Sequence, residues 1–248
     1  MKRVLLITGG SRGIGAATAL LAAQDGWAVA VNYANNQAAA NQVVQAIAQA
    51  GGQAIAVQGD VADEAQIVRM FATVDQQLGR VTGLVNNAGV VDVTARVEDM
   101  SWQRLERMMR INVLGSFACA KEAIRRMSTR HGGQGGVIVN LSSVAARLGA
   151  PAQYVDYAAS KGAIDTFTVG LAKELATENI RVNAVRPGVI DTDIHASGGL
   201  PNRARDLAPQ IPMQRPGTAE ETAQAIVWLL SDKASYVTGT CLDVTGGR

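Results

Sequence analysis

The chain has 248 residues, of which 48% are hydrophobic and 18% charged, with a formal net charge of +2 at pH 7. So small a net charge gives no reason to expect nucleic acid or an anionic membrane surface as a partner. Two cysteines, Cys119 and Cys241, are too few for a disulfide framework or a four-thiolate zinc site. This composition predicts a cytoplasmic protein with no metal, nucleic-acid or membrane partner.

The apolar runs are short from the first residue onward. Only V-L-L-I-T separates the basic start from Gly9, which is too short for a signal-peptide core. No run approaches the roughly 18 apolar residues that span a bilayer. The length suits one α/β domain over residues 1–248.

Short runs rich in β-branched residues alternate with longer helical patterns along the chain. This alternation is typical of parallel strands joined by crossover helices. The predicted strands are Val4–Thr8, Ala28–Tyr33, Ala54–Gln58, Gly83–Asn86, Val137–Leu141, Arg181–Val185 and Cys241–Val244. We therefore expect an α/β fold with a doubly wound, seven-stranded parallel sheet flanked by helices.

Helix signals occur between these strands. Asp63-x-x-Gln66 and Thr218-x-x-Glu221 predict N-terminal caps with a return hydrogen bond, and Gly51-Gly52 predicts a left-handed helix end. Between residues 193 and 216 the periodicity fails and glycines, prolines and charges accumulate. This segment is expected to form a mobile flap over a site, the alternative being an ordinary surface loop.

A glycine-rich turn, T-G-G-S-R-G-I-G at residues 8–15, joins the first strand to the first helix. Backbone amides and the helix dipole can approach a phosphate at such a turn, which suits a nucleotide pyrophosphate. No Gly-Lys-Ser/Thr follows, so it is not the ATP-type loop, and the alternative is a simple tight turn. The candidate cofactor-binding residues here are Gly9, Ser11, Arg12, Gly13, Ile14 and Gly15.

The second strand ends in Asn32-Tyr33 and carries no carboxylate. NAD-type sites place an acid at this position to hold the ribose 2'-hydroxyl. Its absence relieves repulsion of a 2'-phosphate, and the Arg12 guanidinium could pair with that phosphate. We therefore expect NADP rather than NAD and place Asn32 at the cofactor, the alternative for Arg12 being a solvated loop cation.

Five motifs follow one another in a characteristic order. They are T-G-G-S-R-G-I-G, N-N-A-G at 86–89, N-L-S-S at 140–143, Y-A-A-S-K at 157–161 and R-P-G at 186–188. Together they resemble the short-chain dehydrogenase/reductase family, and most of all the branch of 3-oxoacyl-carrier-protein reductases and glucose 1-dehydrogenases. The resemblance implies a Rossmann-type fold, a nicotinamide cofactor and a small alcohol or carbonyl substrate.

Tyr157 and Lys161 are the strongest catalytic candidates. A carbonyl reductase needs a proton donor beside the nicotinamide, and a tyrosine suits this role when a nearby ammonium stabilises its anion. The two residues are four apart and share a helix face, whereas Tyr154 lies seven residues from the lysine, roughly 10 Å along the axis. We expect Lys161 to lower the pKa of Tyr157, and Tyr154 either lines the substrate pocket or only packs.

The resemblance assigns the remaining roles. It implies that Ser143 polarises the substrate carbonyl and that Asn112 helps to hold a water relay to the lysine. Ser142 competes with Ser143, but in a strand the two would point to opposite faces and only one could face the pocket. The further implied cofactor contacts are Asp60, Val61, Asn87, Ala88, Gly89, Pro187, Gly188, Val189 and Thr192.

The substrate itself is not predicted. Specificity is expected near Val91–Thr94, Ala145–Tyr154 and Val189–Pro212, where Arg147 could bind an anion or be solvated and His195 could line the pocket. A basic run at residues 121–131 could dock an acidic carrier protein or simply complement a helix dipole. Three hypotheses follow: an alcohol/carbonyl oxidoreductase, a 3-oxoacyl-carrier-protein reductase, and a sensor that binds NADP without turnover. The family also implies a homodimer or homotetramer.

Overall fold

The computed structural model describes residues 2–248, and its strands form one parallel sheet. The strands are β1 Val4–Ile7, β2 Ala28–Tyr33, β3 Ala54–Gln58, β4 Gly83–Asn86, β5 Gly136–Leu141, β6 Ile180–Pro187 and β7 Cys241–Val244. Their order is β3-β2-β1-β4-β5-β6-β7, and every neighbouring pair is parallel. The predicted doubly wound, seven-stranded α/β fold is confirmed.

Helices cover both faces of the sheet. They are α1 Gly13–Gln24, α2 Gln37–Gln49, α3 Glu64–Gln77, α4 Trp102–Met109, α5 Gly115–Met127, α6 Ala145–Leu148, α7 Val155–Leu175, α8 Ile194–Ser197, α9 Arg203–Leu207 and α10 Ala219–Leu230. A π-helical turn, Arg110–Leu114, joins α4 to α5. Among the described residues, no helix combines the length and apolar character needed to cross a membrane.

The alternation of side chains along β1 explains the two layers of the core. Val4 and Leu6 pack with residues of α3, α5 and α7, whereas Leu5 and Ile7 pack with residues of α1, α2 and α10. Successive side chains of a strand point to opposite faces, so a strand covered on both sides is apolar throughout. All four residues are at most 1% exposed, which accounts for the unbroken apolar run in the sequence.

The predicted bounds of three strands were wrong by one or two residues. Thr8 lies beyond β1 because its hydroxyl and carbonyl bind the end of β4, while β5 begins one residue earlier than predicted, at Gly136. β6 extends from Ile180 to Pro187 because Arg186 and Pro187 still align with β7.

The predicted helix ends agree with the structure except for one hydrogen bond. Thr218 and Glu221 form a reciprocal capping box. Asp63 caps α3, but the side chain of Gln66 returns to the backbone N–H of Asp60 rather than to that of Asp63. Gly51 follows the end of α2 with φ +82°, in the left-handed region that favours glycine.

Candidate active site

The strand order reverses between β1 and β4, and the loops that follow β1, β4, β5 and β6 border one cavity of about 500 Å³. Ligands of doubly wound sheets bind in this crevice, outside the carboxyl ends of the strands. Its lining is Ile14, Asn87, Gly89, Val91, Leu141, Ser142, Ser143, Val144, Ala145, Leu148, Ala150, Pro151, Gln153, Tyr154, Tyr157, Lys161, Pro187, Gly188, Val189, Ile190, Thr192, Ile194, Arg203 and Arg248.

The glycine turn has the backbone of a phosphate cradle. Gly9 and Gly13 have φ of +61° and +53°, and a Cβ on Gly15 would lie 2.5 Å from the carbonyl oxygen of Gly9. The first amide to bond within α1 is that of Ala16, which donates to the carbonyl of Arg12 over 3.2 Å. The preceding amides of the helix therefore have no intrahelical acceptor, and the turn fits a nucleotide pyrophosphate.

Asn32 supports this turn from below. It is 2% exposed, its Oδ1 accepts from the amide of Gly9 over 3.1 Å, and its Nδ2 donates to the carbonyl of Gly59 over 2.9 Å. Its amide group is thus bound to the protein's own backbone. Arg12, in contrast, is exposed at the N-terminus of α1.

The N-N-A-G segment ties the turn to the end of β4. The hydroxyl of Thr8 accepts hydrogen bonds of 3.0 Å from the amides of both Asn87 and Ala88. In return, Nδ2 of Asn87 donates to the carbonyls of Thr8 and Gly9, over 2.9 Å each. The two loops that flank the crevice therefore form one hydrogen-bonded unit.

Lys161 is buried and Tyr157 half-buried in the lining of the cavity. Lys161 Nζ lies 5.6 Å from the centroid of the Tyr157 ring and donates a 2.6 Å hydrogen bond to the carbonyl of Leu141. Burial lowers the pKa of Lys161 to about 8. It raises the pKa of Tyr157 above 10.0, and a hydrogen bond with Ser143 offsets part of that rise. The expected fall in the tyrosine pKa is therefore absent from the protein alone, because burial outweighs that hydrogen bond.

Both serines border the cavity, which differs from the prediction that only one would. The strand alternation behind that prediction does not apply, because β5 ends at Leu141 and both serines follow it. The Ser142 hydroxyl donates to the carbonyl of Lys161 over 3.2 Å, whereas the Ser143 hydroxyl accepts from the amide of Ala145 over 3.1 Å and lowers the pKa of Tyr157. Of the two serines, Ser143 is thus the one that acts on the pKa of the tyrosine.

Asn112 lies in the π-helical turn and does not line the cavity. Its Oδ1 accepts from the amide of Val90 over 2.8 Å, and its Nδ2 donates to the carbonyl of the same residue over 3.0 Å and to the Ser160 hydroxyl over 3.2 Å. A Cβ on Gly89 would lie 3.5 Å both from Asn112 Oδ1 and from Lys161 Nζ. Asn112 therefore holds the loop after β4 beside the lysine, and π-turns of this kind are frequent at functional sites.

Comparison with known proteins bears on this geometry. A family model described as enoyl-(acyl carrier protein) reductase matches residues 9–248. YgfF of Escherichia coli (strain K12), an uncharacterised oxidoreductase, is 57% identical over 245 residues, covering 99% of this chain and 99% of that protein. A 3-oxoacyl-(acyl-carrier-protein) reductase of Synechocystis sp. is 40% identical over 248 residues, covering 99% of this chain and 96% of that protein. A solved mutant structure of the Serratia marcescens short-chain dehydrogenase/reductase matches with a TM-score of 0.90 at 34% identity, covering 99% of this chain and 97% of that one.

The chain belongs to the short-chain dehydrogenase/reductase family. It is an NAD(P)-dependent oxidoreductase, and the family resemblance predicted from the five motifs is confirmed. Within this dehydrogenase/reductase, the crevice between the loops that follow β1 and β4 has the backbone that a nicotinamide dinucleotide requires.

The remaining predicted cofactor residues of this short-chain dehydrogenase/reductase fall into two groups. Pro187, Gly188, Val189 and Thr192 line the cavity after β6, where a Cβ on Gly188 would lie 2.8 Å from Cα of Thr245. Asp60 and Val61 follow β3 outside that lining, and Asp60 Oδ1 accepts from the amide of Ala62 over 2.9 Å. This second group lies on the β3 side of the sheet, away from the tyrosine.

Only some of the predicted specificity residues of the dehydrogenase/reductase line the cavity. Tyr154 is 7% exposed and lines the cavity, with the Arg203 guanidinium 5.1 Å above its ring. Arg147 lies outside the lining and is an exposed cation that forms an ion pair of 2.5 Å with Asp243. The side chain of His195 lies outside the described residues.

The sequence of this dehydrogenase/reductase did not indicate two side-chain pairs that support the site. Arg104 binds Asp156, next to Tyr157, through two hydrogen bonds of 2.8 and 3.1 Å. Asn140, below the two serines, donates to the Thr168 hydroxyl over 2.9 Å. Partners 52 and 28 residues apart share no local periodicity, so only the fold brings them together.

Proposed function

We propose that the enzyme uses NADP to interconvert a small alcohol and its ketone or aldehyde. The observation that carries this proposal is the joint placement of Ser143, Tyr157 and Lys161 at one cavity beside the glycine turn. Bound nicotinamide supplies the hydride or accepts it. Glycine-turn residues and the segment after β6 are proposed to hold the cofactor with its nicotinamide end in this cavity.

Each of the three side chains has a distinct proposed role. Tyr157 donates a proton to the carbonyl oxygen during reduction and accepts one from the alcohol during oxidation. The Ser143 hydroxyl donates a hydrogen bond to the same substrate oxygen as negative charge develops there. The Lys161 ammonium stabilises the phenolate, since an opposite charge nearby favours the ionised form of an acid. Asn112 is proposed to position this lysine through the loop at Gly89 and Val90.

Two features support NADP over NAD. The end of β2 presents Asn32 and Tyr33, both buried and neither acidic, so no side chain there repels a 2'-phosphate. Arg12 is exposed at the start of α1 and takes part in none of the ion pairs of the described residues. A free guanidinium at this point is suited to a phosphate.

The direct test is an oxidation screen with NADPH and with NADH against sugars, ketones, aldehydes and acyl thioesters. We expect turnover with at least one ketone or aldehyde and a preference for NADPH. Tyr157→Phe should reduce kcat by about 100-fold to 10,000-fold, the usual contribution of a general acid, while Tyr154→Phe keeps most of it. NADPH binding without turnover of any carbonyl would instead favour the sensor hypothesis.

A 3-oxoacyl-carrier-protein reductase is the second candidate, favoured by the name of the Synechocystis relative. The basic run at 121–131 gives it little support, because four of its cations are bound to carboxylates of the same chain. The pairs are Lys121–Glu64, Arg125–Glu122, Arg126–Asp75 and Arg130–Glu178. A much higher kcat/KM for carrier-linked acyl groups than for free thioesters would establish this candidate over the first.

We also propose that the enzyme forms a homodimer or homotetramer. Trp102, Met109, Leu114 and Phe117, on α4, α5 and the π-turn between them, are 43% to 75% exposed. Phe117 stacks on Phe167 of α7 with ring centroids 3.8 Å apart. Clusters of exposed apolar side chains of this kind mark interaction surfaces.

A further inference from the structure

The charged side chains that line the cavity are all cationic. They are Lys161, Arg203 and Arg248, and no aspartate or glutamate belongs to the described lining. Most of the remaining wall is apolar, including Val91, Leu148 and Ile194. A cavity bounded by apolar walls and charges of one sign concentrates ligands of the opposite sign.

Arg203 is the cation best placed to meet a substrate. Its guanidinium lies over the Tyr154 ring, and Nη2 donates a 2.7 Å hydrogen bond to Oε1 of Gln153. A guanidinium has five N–H donors, and this is the one hydrogen bond that the described residues provide for it. Stacking and a single bond orient the group while leaving donors for a ligand.

Three other partly buried arginines of the described chain provide a contrast, whereas Arg181 donates to backbone carbonyls and Arg248, like Arg203, has no carboxylate partner among the described residues. Arg104, Arg126 and Arg186 each pair with a carboxylate, at 2.8, 2.7 and 2.9 Å. Arg203 pairs with none of the described carboxylates, although it too is only half-exposed. A guanidinium held in a cavity wall without a counter-ion is suited to bidentate binding of a carboxylate.

The position of Arg203 also defines the shape of the ligand. Tyr154 immediately precedes α7 and Tyr157 follows three residues later, a rise of about 4.5 Å along the axis. The guanidinium over the Tyr154 ring and the Tyr157 hydroxyl, at which the carbonyl is expected, are therefore two separate groups of the same cavity wall. A substrate that contacts both groups needs several bonds between its carbonyl and its anionic end.

We propose that the preferred substrates are oxo-carboxylic acids, with an apolar body in the cavity and a carboxylate bound by Arg203. This inference rests on the proposed carbonyl reduction at Tyr157. It assigns to Arg203 the role of a specificity-determining residue and to Tyr154 and Gln153 the role of positioning it.

The test compares each acid with its methyl ester, using 4-formylbenzoate and 5-oxohexanoate with NADPH and the full-length enzyme. We expect kcat/KM to favour the acids by about tenfold or more, since charge-assisted hydrogen bonds are about twice as strong as neutral ones. Arg203→Gln should remove this preference by lowering the acid values alone, and Arg203→Lys should keep part of it. Arg205→Gln is the matched control, because Arg205 is exposed, lies two residues away and does not line the cavity.

The possible results distinguish a failure of the oxo-acid proposal from a failure of the proposed carbonyl reduction. Equal kcat/KM for acid and ester in the unmodified enzyme would overturn the inference and leave carbonyl reduction intact. An equal loss for acid and ester in Arg203→Gln would also overturn it, by showing that Arg203 only supports Tyr154. Absence of turnover for both pairs in an enzyme that reduces another carbonyl of the screen would overturn the inference alone, whereas absence of turnover throughout the screen would overturn the proposed reduction of carbonyls and the inference with it.

Discussion

Burial shifts the pKa values of the two central residues of the site in opposite directions, upward for Tyr157 and downward for Lys161. It disfavours the phenolate of Tyr157 and the ammonium of Lys161, so both residues are pushed toward their neutral forms in the protein alone. The proposed chemistry needs the charged forms, at least transiently. The site is therefore destabilising as it stands, which is the usual consequence of assembling polar groups for function.

The lowered pKa of Lys161 makes the free energy of unfolding depend on pH. That pKa is about 8 in the folded enzyme against an ordinary value of 10.5. Between these values the unfolded chain binds more protons, so the free energy of unfolding rises with pH. The destabilisation caused by burying the lysine ammonium is absent above about pH 10.5 and reaches its full size as the pH falls to about 8. Lys161→Met removes this dependence.

We therefore expect the Tm of Lys161→Met, relative to the unmodified enzyme, to be most favourable at pH 8 and below. The difference should shrink steadily between pH 8 and pH 10. Thermal unfolding without added cofactor, recorded from pH 7 to pH 10, measures it. Lys173→Met, at an exposed lysine on the same helix, should show no such trend. A Lys161→Met difference that is constant over this range would contradict the prediction.

Arg12 carries the cofactor preference at the same scale. Arg12→Gln should lower kcat/KM for NADPH by about tenfold, since one charge-assisted contact to a phosphate is lost. The value for NADH should change little, because NADH has no 2'-phosphate. Initial rates with both cofactors measure the ratio, and Lys173→Gln controls for the loss of one positive charge. If both cofactors lose affinity equally, Arg12 contacts the pyrophosphate instead.

At the scale of the elements, Arg104 and Asp156 join α4 to the first turn of α7. Their side chains are 8% and 3% exposed, and Nη1 of Arg104 also donates to the carbonyl of Val93 over 2.6 Å. One guanidinium thus connects the helix that carries Tyr157 to the loop expected to contact the substrate. We infer that the pair positions the tyrosine.

Removal of one partner of the ion pair between Arg104 and Asp156 should lower the stability of the enzyme. Arg104→Met leaves a buried carboxylate without its counter-ion, which costs about 3–5 kcal/mol. For a domain of this size that corresponds to a Tm lower by about 6–20 °C. The surface pair of Arg96 and Glu98, with side chains 68% and 61% exposed, is the control. Arg96→Met should cost at most about 1 kcal/mol.

A double variant separates stability from positioning. Arg104→Met with Asp156→Leu replaces the ion pair by apolar groups, and such replacements are often neutral or stabilising. We expect the Tm to recover while kcat stays below that of the unmodified enzyme, because the link to Val93 is still missing. Full recovery of kcat together with the Tm would show that the pair is only structural.

The elements also show how far the sequence alone could lead. Strand positions were predictable because strands buried on both faces are continuous apolar runs, and Tyr157 and Lys161 because they share one helix face. The pairing of Arg104 with Asp156 and of Arg203 with Tyr154 was not. These contacts join residues 49 to 52 positions apart, and no local pattern records which loop lies over which helix.

At the scale of the whole molecule, one helix, α7, connects the site to the exposed apolar surface. Tyr157 and Lys161 belong to α7, which also contributes Phe167 to the stacked pair with Phe117. Because α7 packs against β5 and β6, its inner face serves the site while Phe167 faces α5. Self-association on this surface would therefore stabilise the helix that carries the proposed catalytic residues.

Phe117→Arg tests the proposed interface. In a two-fold symmetric dimer each substitution on the contact surface occurs on both copies, so a cation at this position brings two like charges together and removes apolar contact. We expect sedimentation velocity and light scattering to show a smaller species than for the unmodified enzyme, with lower kcat because α7 loses support. Val68→Arg is the matched control, since Val68 is 43% exposed on α3, close to the 46% of Phe117. If Phe117→Arg leaves the mass unchanged while Val68→Arg lowers it, the interface lies on α3; if neither lowers it, the exposed apolar residues of α4 and α5 do not mediate self-association.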